Sequence, residues 1–126
     1  MFTIYIDNLG DIAIIECEGR LVRSDAAFAL REAVTSQHDA RIVVLDMSAV
    51  TAIEGGGLGM LVFLQRWAYD QDRRLKLFNL RRSVRDRLEQ ASSMHAFEIA
   101  TLDELMALMA RSDGPVRSDG PHTLAA

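Results

Sequence analysis

The sequence predicts an α/β domain: a mostly parallel sheet of 4–5 strands, an N-terminal antiparallel hairpin at its edge, and about 4 helices. Three observations lead there. The chain opens on two period-two alternations joined by turn residues. Residues 42–45 form an unbroken aliphatic run. Beyond them, helix-period and strand-like segments alternate so tightly that successive strands must return in the same direction over a helix.

In the first alternation Phe2, Ile4 and Ile6 interleave with Thr3, Tyr5 and Asp7; the second covers Ile12 to Glu18, and Asn8-Leu9-Gly10-Asp11 supplies the turn between them. Gly19 is read as the end of the second strand. Ser24 or Asp25 then caps a helix running to about Gln37, with Ala26, Phe28, Ala29, Ala33 and Val34 among its apolar members. Ile42-Val43-Val44-Leu45 is continuous rather than alternating, as in a strand covered on both faces, and is placed at the centre of the sheet.

A loop from Asp46 through the glycines should lead into a helix from about Gly57 to Tyr69. A strand over Leu75 to Leu80 and a short helix from about Ser83 to Ala91 follow, then a brief strand at Phe97-Glu98-Ile99. Thr101-Leu102-Asp103-Glu104 has the spacing of a capping box before a last helix through Leu105, Leu108 and Met109. The domain is therefore set at 1–110. Residues 111–126, where Arg-Ser-Asp-Gly-Pro occurs twice and both prolines fall, are set as a flexible tail.

With 126 residues, 49% of them hydrophobic, the chain holds enough apolar surface for one core. A net charge of −4 argues against nucleic acid as a partner, since phosphate binding needs a basic footprint. Arg73, Arg74, Lys76, Arg81, Arg82, Arg85 and Arg87 nevertheless crowd one region, as a solvated face or a patch for an acidic partner. No charged leader precedes a long apolar run and no span-length apolar segment occurs, so a cytoplasmic protein without membrane insertion is expected. Cys17, alone in an alternating strand, reads as a core thiol.

The stretch Glu54-Gly55-Gly56-Gly57-Leu58-Gly59 stands out as a glycine-rich turn opening a helix, where unpaired N–H groups can meet a ligand. It lacks the Lys and Ser/Thr of a phosphate-binding P-loop and the glycine spacing of a dinucleotide fold. His38, His95 and His122 have no second ligand at metal-binding spacing, and Asp46 with Glu54 lacks a visible base or nucleophile. No catalytic residue, metal or cofactor is assigned. Glu54 has a structural use in facing the positive end of the helix dipole. Downstream, Leu58, Leu61, Leu64 and Ala68 trace one helix face and Met60, Phe63 and Trp67 an adjoining one, which serves either as core or as a hydrophobic patch for another protein.

The run Val44-Leu45-Asp46-Met47-Ser48-Ala49-Val50-Thr51-Ala52-Ile53-Glu54-Gly55-Gly56-Gly57-Leu58-Gly59 resembles the signature of STAS domains, found in anti-sigma-factor antagonists and in cytoplasmic tails of sulfate transporters. The likeness extends over about residues 3 to 110, with the Gly19-Arg20-Leu21 bend and the Leu77-Phe78-Asn79 strand. It implies a non-catalytic domain that captures a protein partner, in the antagonist branch a kinase-like anti-sigma factor, and leaves a homodimer open. The implied partner-binding residues are Glu54, Gly55, Gly56, Gly57, Leu58, Met60, Phe63 and Trp67. In that branch a phosphorylated serine at the helix mouth breaks the complex. Anchored on Gly57-Leu58-Gly59, the family's aspartate falls on Glu54 and its phosphorylated serine on Gly55, so the switch hydroxyl is lost. An unswitchable antagonist is the first reading; a structural STAS subunit of a lipid-transport ATPase complex or of a stress-signalling scaffold is the alternative.

Overall fold

Gly10, with a left-handed φ of 64°, closes the hairpin between β1 (Phe2–Leu9) and β2 (Ile12–Leu21), which pair antiparallel from Phe2 opposite Gly19 to Leu9 opposite Ile12. The chain then runs through α1 (Ser24–Thr35), β3 (Ile42–Ile53), α2 (Gly55–Asp70), β4 (Arg74–Phe78), α3 (Arg82–Gln90), β5 (Glu98–Ala100) and α4 (Leu102–Ser112). The computed structural model describes residues 1–91, 97–112 and 123–124. His95, His122 and most of the expected tail lie outside them. A two-residue strand, β6 (Thr123–Leu124), pairs antiparallel with Ile6 and Asp7 of β1.

The sheet order is β5-β4-β3-β2-β1-β6, with β2, β3, β4 and β5 parallel, so β3 is central as its unbroken apolar start requires. Successive strand side chains point to opposite faces. Val43, Leu45 and Met47 join the main core with Leu30 and Val34 of α1, Leu61 and Leu64 of α2, and Val84 and Leu88 of α3. Ile42 and Val44 face the other way, where Ile12 and Leu105 of α4 close a smaller cluster. Among the described residues three helices therefore cover one face and α4 alone covers the second.

Cys17 is fully buried in the main core, and burial pushes its thiol up to about 12, with Asp46 and Glu16 adding to the rise. The core-thiol reading holds. The capping box forms reciprocally at the start of α4: the Thr101 N–H donates to Glu104 Oε1 at 2.8 Å and the Glu104 N–H to Thr101 Oγ1 at 3.1 Å.

Several boundaries move. The expected loop after Asp46 is strand: β3 continues to Ile53 against β2, past register shifts between Glu16 and Glu18 and between Gly19 and Arg20. Each shift resets the side-chain alternation, which hid the strand from a period-two reading. Gly19 does not end β2; it sits within it at φ 115°, where a Cβ would meet the Met1 carbonyl oxygen at 2.1 Å. Helix α1 takes Arg23 as its N-cap residue, not Ser24 or Asp25, and Asp25 Oδ1 instead accepts from the Ala26 N–H at 2.9 Å. β4 stops at Phe78 because Asn79 turns left-handed at φ 60°.

Candidate functional site

The mouth of α2 is built on the end of β2. The Leu21 carbonyl accepts the Glu54 N–H at 3.3 Å, and the Glu54 carbonyl accepts the N–H groups of Gly57 at 3.0 Å and Leu58 at 3.4 Å, starting the helix at Gly55, two residues earlier than expected. Gly57 is buried against Leu21 so closely that a side chain has no room: its Cβ would stand 1.9 Å from the carbonyl oxygen. Gly55 is exposed and left-handed at φ 51°. Gly56 is exposed too, with nothing nearer to a Cβ than Ser24 at 4.0 Å. The three glycines thus have three different reasons: one is forced by packing, one by backbone conformation, and one leaves open surface.

Glu54 occupies the N-cap position in an extended conformation but makes no side-chain cap. Its carboxylate turns to Arg87 of α3, with Oε1 3.7 Å from Nε. Asp46 is used elsewhere, its Oδ1 accepting the Ser48 N–H at 3.0 Å. Among the described residues no group of three or more His, Cys, Asp or Glu side chains could hold a metal ion.

Along α2 the sequence-predicted residues divide. Leu61, Leu64 and Ala68 are buried, while Leu58, Met60 and Trp67 are half-buried against the main core. Phe63 remains 49% exposed. Val62, exposed at 42%, was not singled out from the sequence, and Gly59 beside it is open to solvent with nothing within reach of a Cβ. Gly55, Gly56, Gly59, Val62 and Phe63 follow helical spacing along one outward strip. That strip was readable as the complement of the leucine stripe, since the residues between Leu58, Leu61 and Leu64 must face away from the core. Phe28 of α1, the helix packed beside α2, is also 57% exposed.

The crowded cations are mostly engaged within the protein. Arg73 donates to the carbonyls of Gln37 at 2.5 Å and His38 at 2.8 Å while lying over the Trp67 ring. Arg81 donates to the Ser48 carbonyl at 2.8 Å, and Arg74 and Lys76 share Glu98. Among the described residues Arg82 and Arg85 have no ion-pair partner. No helix among the described residues is long and apolar enough to cross a membrane.

A family model for the STAS domain matches residues 4–105. No curated protein matches the sequence. Among solved structures, a putative anti-sigma factor antagonist from Thermotoga maritima superimposes with a TM-score of 0.72 at 18% identity, covering 84% of this chain and 93% of that one. An anti-sigma factor antagonist from Mycobacterium paratuberculosis gives 0.68 at 17% identity, with 87% and 95% covered. A sulfate transporter family protein from Wolinella succinogenes gives 0.69 at 17% identity, with 81% and 87% covered. At these identities the likeness is one of fold.

Proposed function

The chain belongs to the STAS domain family, and from that premise we propose that it is a non-catalytic regulator that captures a protein partner on the mouth and outward strip of α2, in the manner of an anti-sigma-factor antagonist. The observation that carries this reading is the strip itself: Gly55, Gly56 and Gly59 leave bare backbone beside the exposed Val62 and Phe63. A partner's side chains can approach such backbone closely, and the two apolar residues supply the anchors that a protein interface needs. Glu54, Leu58, Met60 and Trp67 frame that surface, Glu54 through its pair with Arg87 and the others through half-buried contacts with the core.

Regulation departs from a phosphorylation switch at the helix mouth. The anti-sigma factor antagonist SpoIIAA has been solved in both an unphosphorylated and a phosphorylated form. Here Gly55 and Gly56 have no hydroxyl, so capture at this surface is set by partner concentration rather than by a phosphate at the mouth.

Titration calorimetry against an anti-sigma-factor-type kinase-like protein tests the reading. Gly56→Arg places a long cation on open surface and Phe63→Ser removes the exposed ring; both should lower affinity by about tenfold or more while the circular dichroism spectrum stays unchanged. Wild-type affinity in both variants would count against this face.

A further inference from the structure

We propose that the second face of the sheet, beneath α4, carries a binding site for a small organic carboxylate with an apolar body. The site is independent of the α2 surface and lies on the opposite side of the sheet. Among the described residues α4 alone covers this face, and between it and the edges of β3 and β4 lies a cavity of about 260 Å³. Ile42, Ala107 and Leu108 supply its apolar lining; Arg74, Lys76 and Arg111 bring three cations, and Glu104 one carboxylate.

The charges do not balance from within. Lys76 is only 7% exposed, and its ammonium stands 3.0 Å from Glu98 Oε1. Arg74 Nη2 reaches the same oxygen at 3.1 Å, so one carboxylate serves two cations. Glu104 has one oxygen committed to the Thr101 N–H in the capping box. Three cations against the carboxylates of Glu98 and Glu104 leave one positive charge over. An ammonium has three donors, and among the described residues Lys76 uses one, toward Glu98. Lys76 is paired with Glu98 and the surplus charge lies with the exposed Arg74 and Arg111, so a carboxylate entering beside Lys76 and Arg111 would meet the ammonium donors that Glu98 leaves unused and accept charge-assisted hydrogen bonds. Its apolar body would lie on Ile42 and Leu108, the combination of convergent polar groups and hydrophobic wall that small-molecule pockets show.

Sodium hexanoate is the probe, with 1-hexanol and sodium phosphate as comparators at matched ionic strength, followed by amide correlation NMR on the full chain. Hexanoate should shift the amides of Ile42, Lys76, Leu108 and Arg111 saturably in the millimolar range, with hexanol and phosphate at least about tenfold weaker. Lys76→Met and Arg111→Gln should each weaken hexanoate severalfold. Arg111 sits at the exposed end of α4, so its variant tests the site even where Lys76→Met disturbs folding. Absence of saturable shifts, equal binding of hexanol or phosphate, or unchanged hexanoate affinity in the Arg111→Gln variant would overturn the proposal.

Discussion

The carbonyl of Leu21 stands where a side chain at Gly57 would have to begin: a Cβ there would lie 1.9 Å from the oxygen and 2.6 Å from the carbonyl carbon. Both obstructing atoms are backbone, so no rotamer change relieves the clash, and α2 must lift off the end of β2. We expect Gly57→Ala to cost about 1–3 kcal/mol or more. Gly59→Ala is the counterpart, since its Cβ meets nothing within 4 Å and helix interiors favour alanine. It should stabilise by about 0.5–1 kcal/mol. Urea unfolding of the two variants beside wild type measures opposite signs, and equal effects would refute the packing argument.

At Gly55 the obstacle is conformation rather than space. A Cβ would find only the Val22 carbonyl at 3.7 Å, an ordinary contact, but φ of 51° costs an L-residue roughly 1–2 kcal/mol. Gly55→Ser should therefore fold with a loss of that size and place a hydroxyl on the surface. Incubated with an anti-sigma-type kinase and ATP, the variant should acquire one phosphate at residue 55, and the wild-type loop none. Stoichiometric phosphate on wild-type Ser48 or Thr51 in the mass spectrum would show that the loop still carries a switch.

How much of this was legible in the sequence depends on whether one chain segment settled the question. The hairpin, the central position of Ile42 to Leu45 and the Thr101–Glu104 capping box rest on local patterns, and each forms as expected. The second half of β3 was not legible, because Ser48, Ala49 and Thr51 show no alternation until the two register shifts against β2 are known. At the α2 mouth the sequence marked the right glycines without distinguishing them. Gly57 is dictated by Leu21, thirty-six positions away, and no local pattern encodes that contact. Likewise the cation cluster looked like one patch, whereas its members are drawn to separate partners in β3, β5 and the end of α1.

Acid should loosen the β4–β5 edge. Desolvation works to raise the Glu98 pKa, but the hydrogen bonds and charges of Lys76 and Arg74 outweigh it and hold the carboxyl below its usual value near 4.5. Since the unfolded chain takes up this proton at a higher pH than the folded one, the contribution is fully present above about pH 4.5 and is lost as pH falls through the lower folded-state value. Glu98→Gln should thus flatten the dependence of unfolding free energy on pH below 4.5 and leave Lys76 without its anion near neutrality. A variant with the acid limb of wild type would show that Glu98 is not the group responsible.

Arg73, just before β4, ties α2 to the loop that follows α1. Its guanidinium carbon lies 5.5 Å from the centroid of Trp67 on α2, while its two terminal nitrogens donate to the carbonyls of Gln37 and His38 just beyond α1. The backbone helps to aim it: Asp72 turns left-handed at φ 59°, and the Arg73 N–H donates to the Ala68 carbonyl at 2.8 Å. Charge-assisted bonds contribute about 1.5–3 kcal/mol, and a partly exposed cation–π contact about 0.5–1 kcal/mol. Arg73→Ala should accordingly cost about 2–3 kcal/mol after solvent replaces part of what is lost. Arg73→Lys should recover only a fraction, because an ammonium cannot serve both carbonyls in the planar fork while stacking on the indole. Trp67 is the only tryptophan in the chain, so its emission reports on this site directly. The Ala variant should shift that emission to longer wavelength before global unfolding and lower the midpoint in urea. An unshifted spectrum with unchanged midpoint would mean that α1 and α2 are held by their apolar contacts alone.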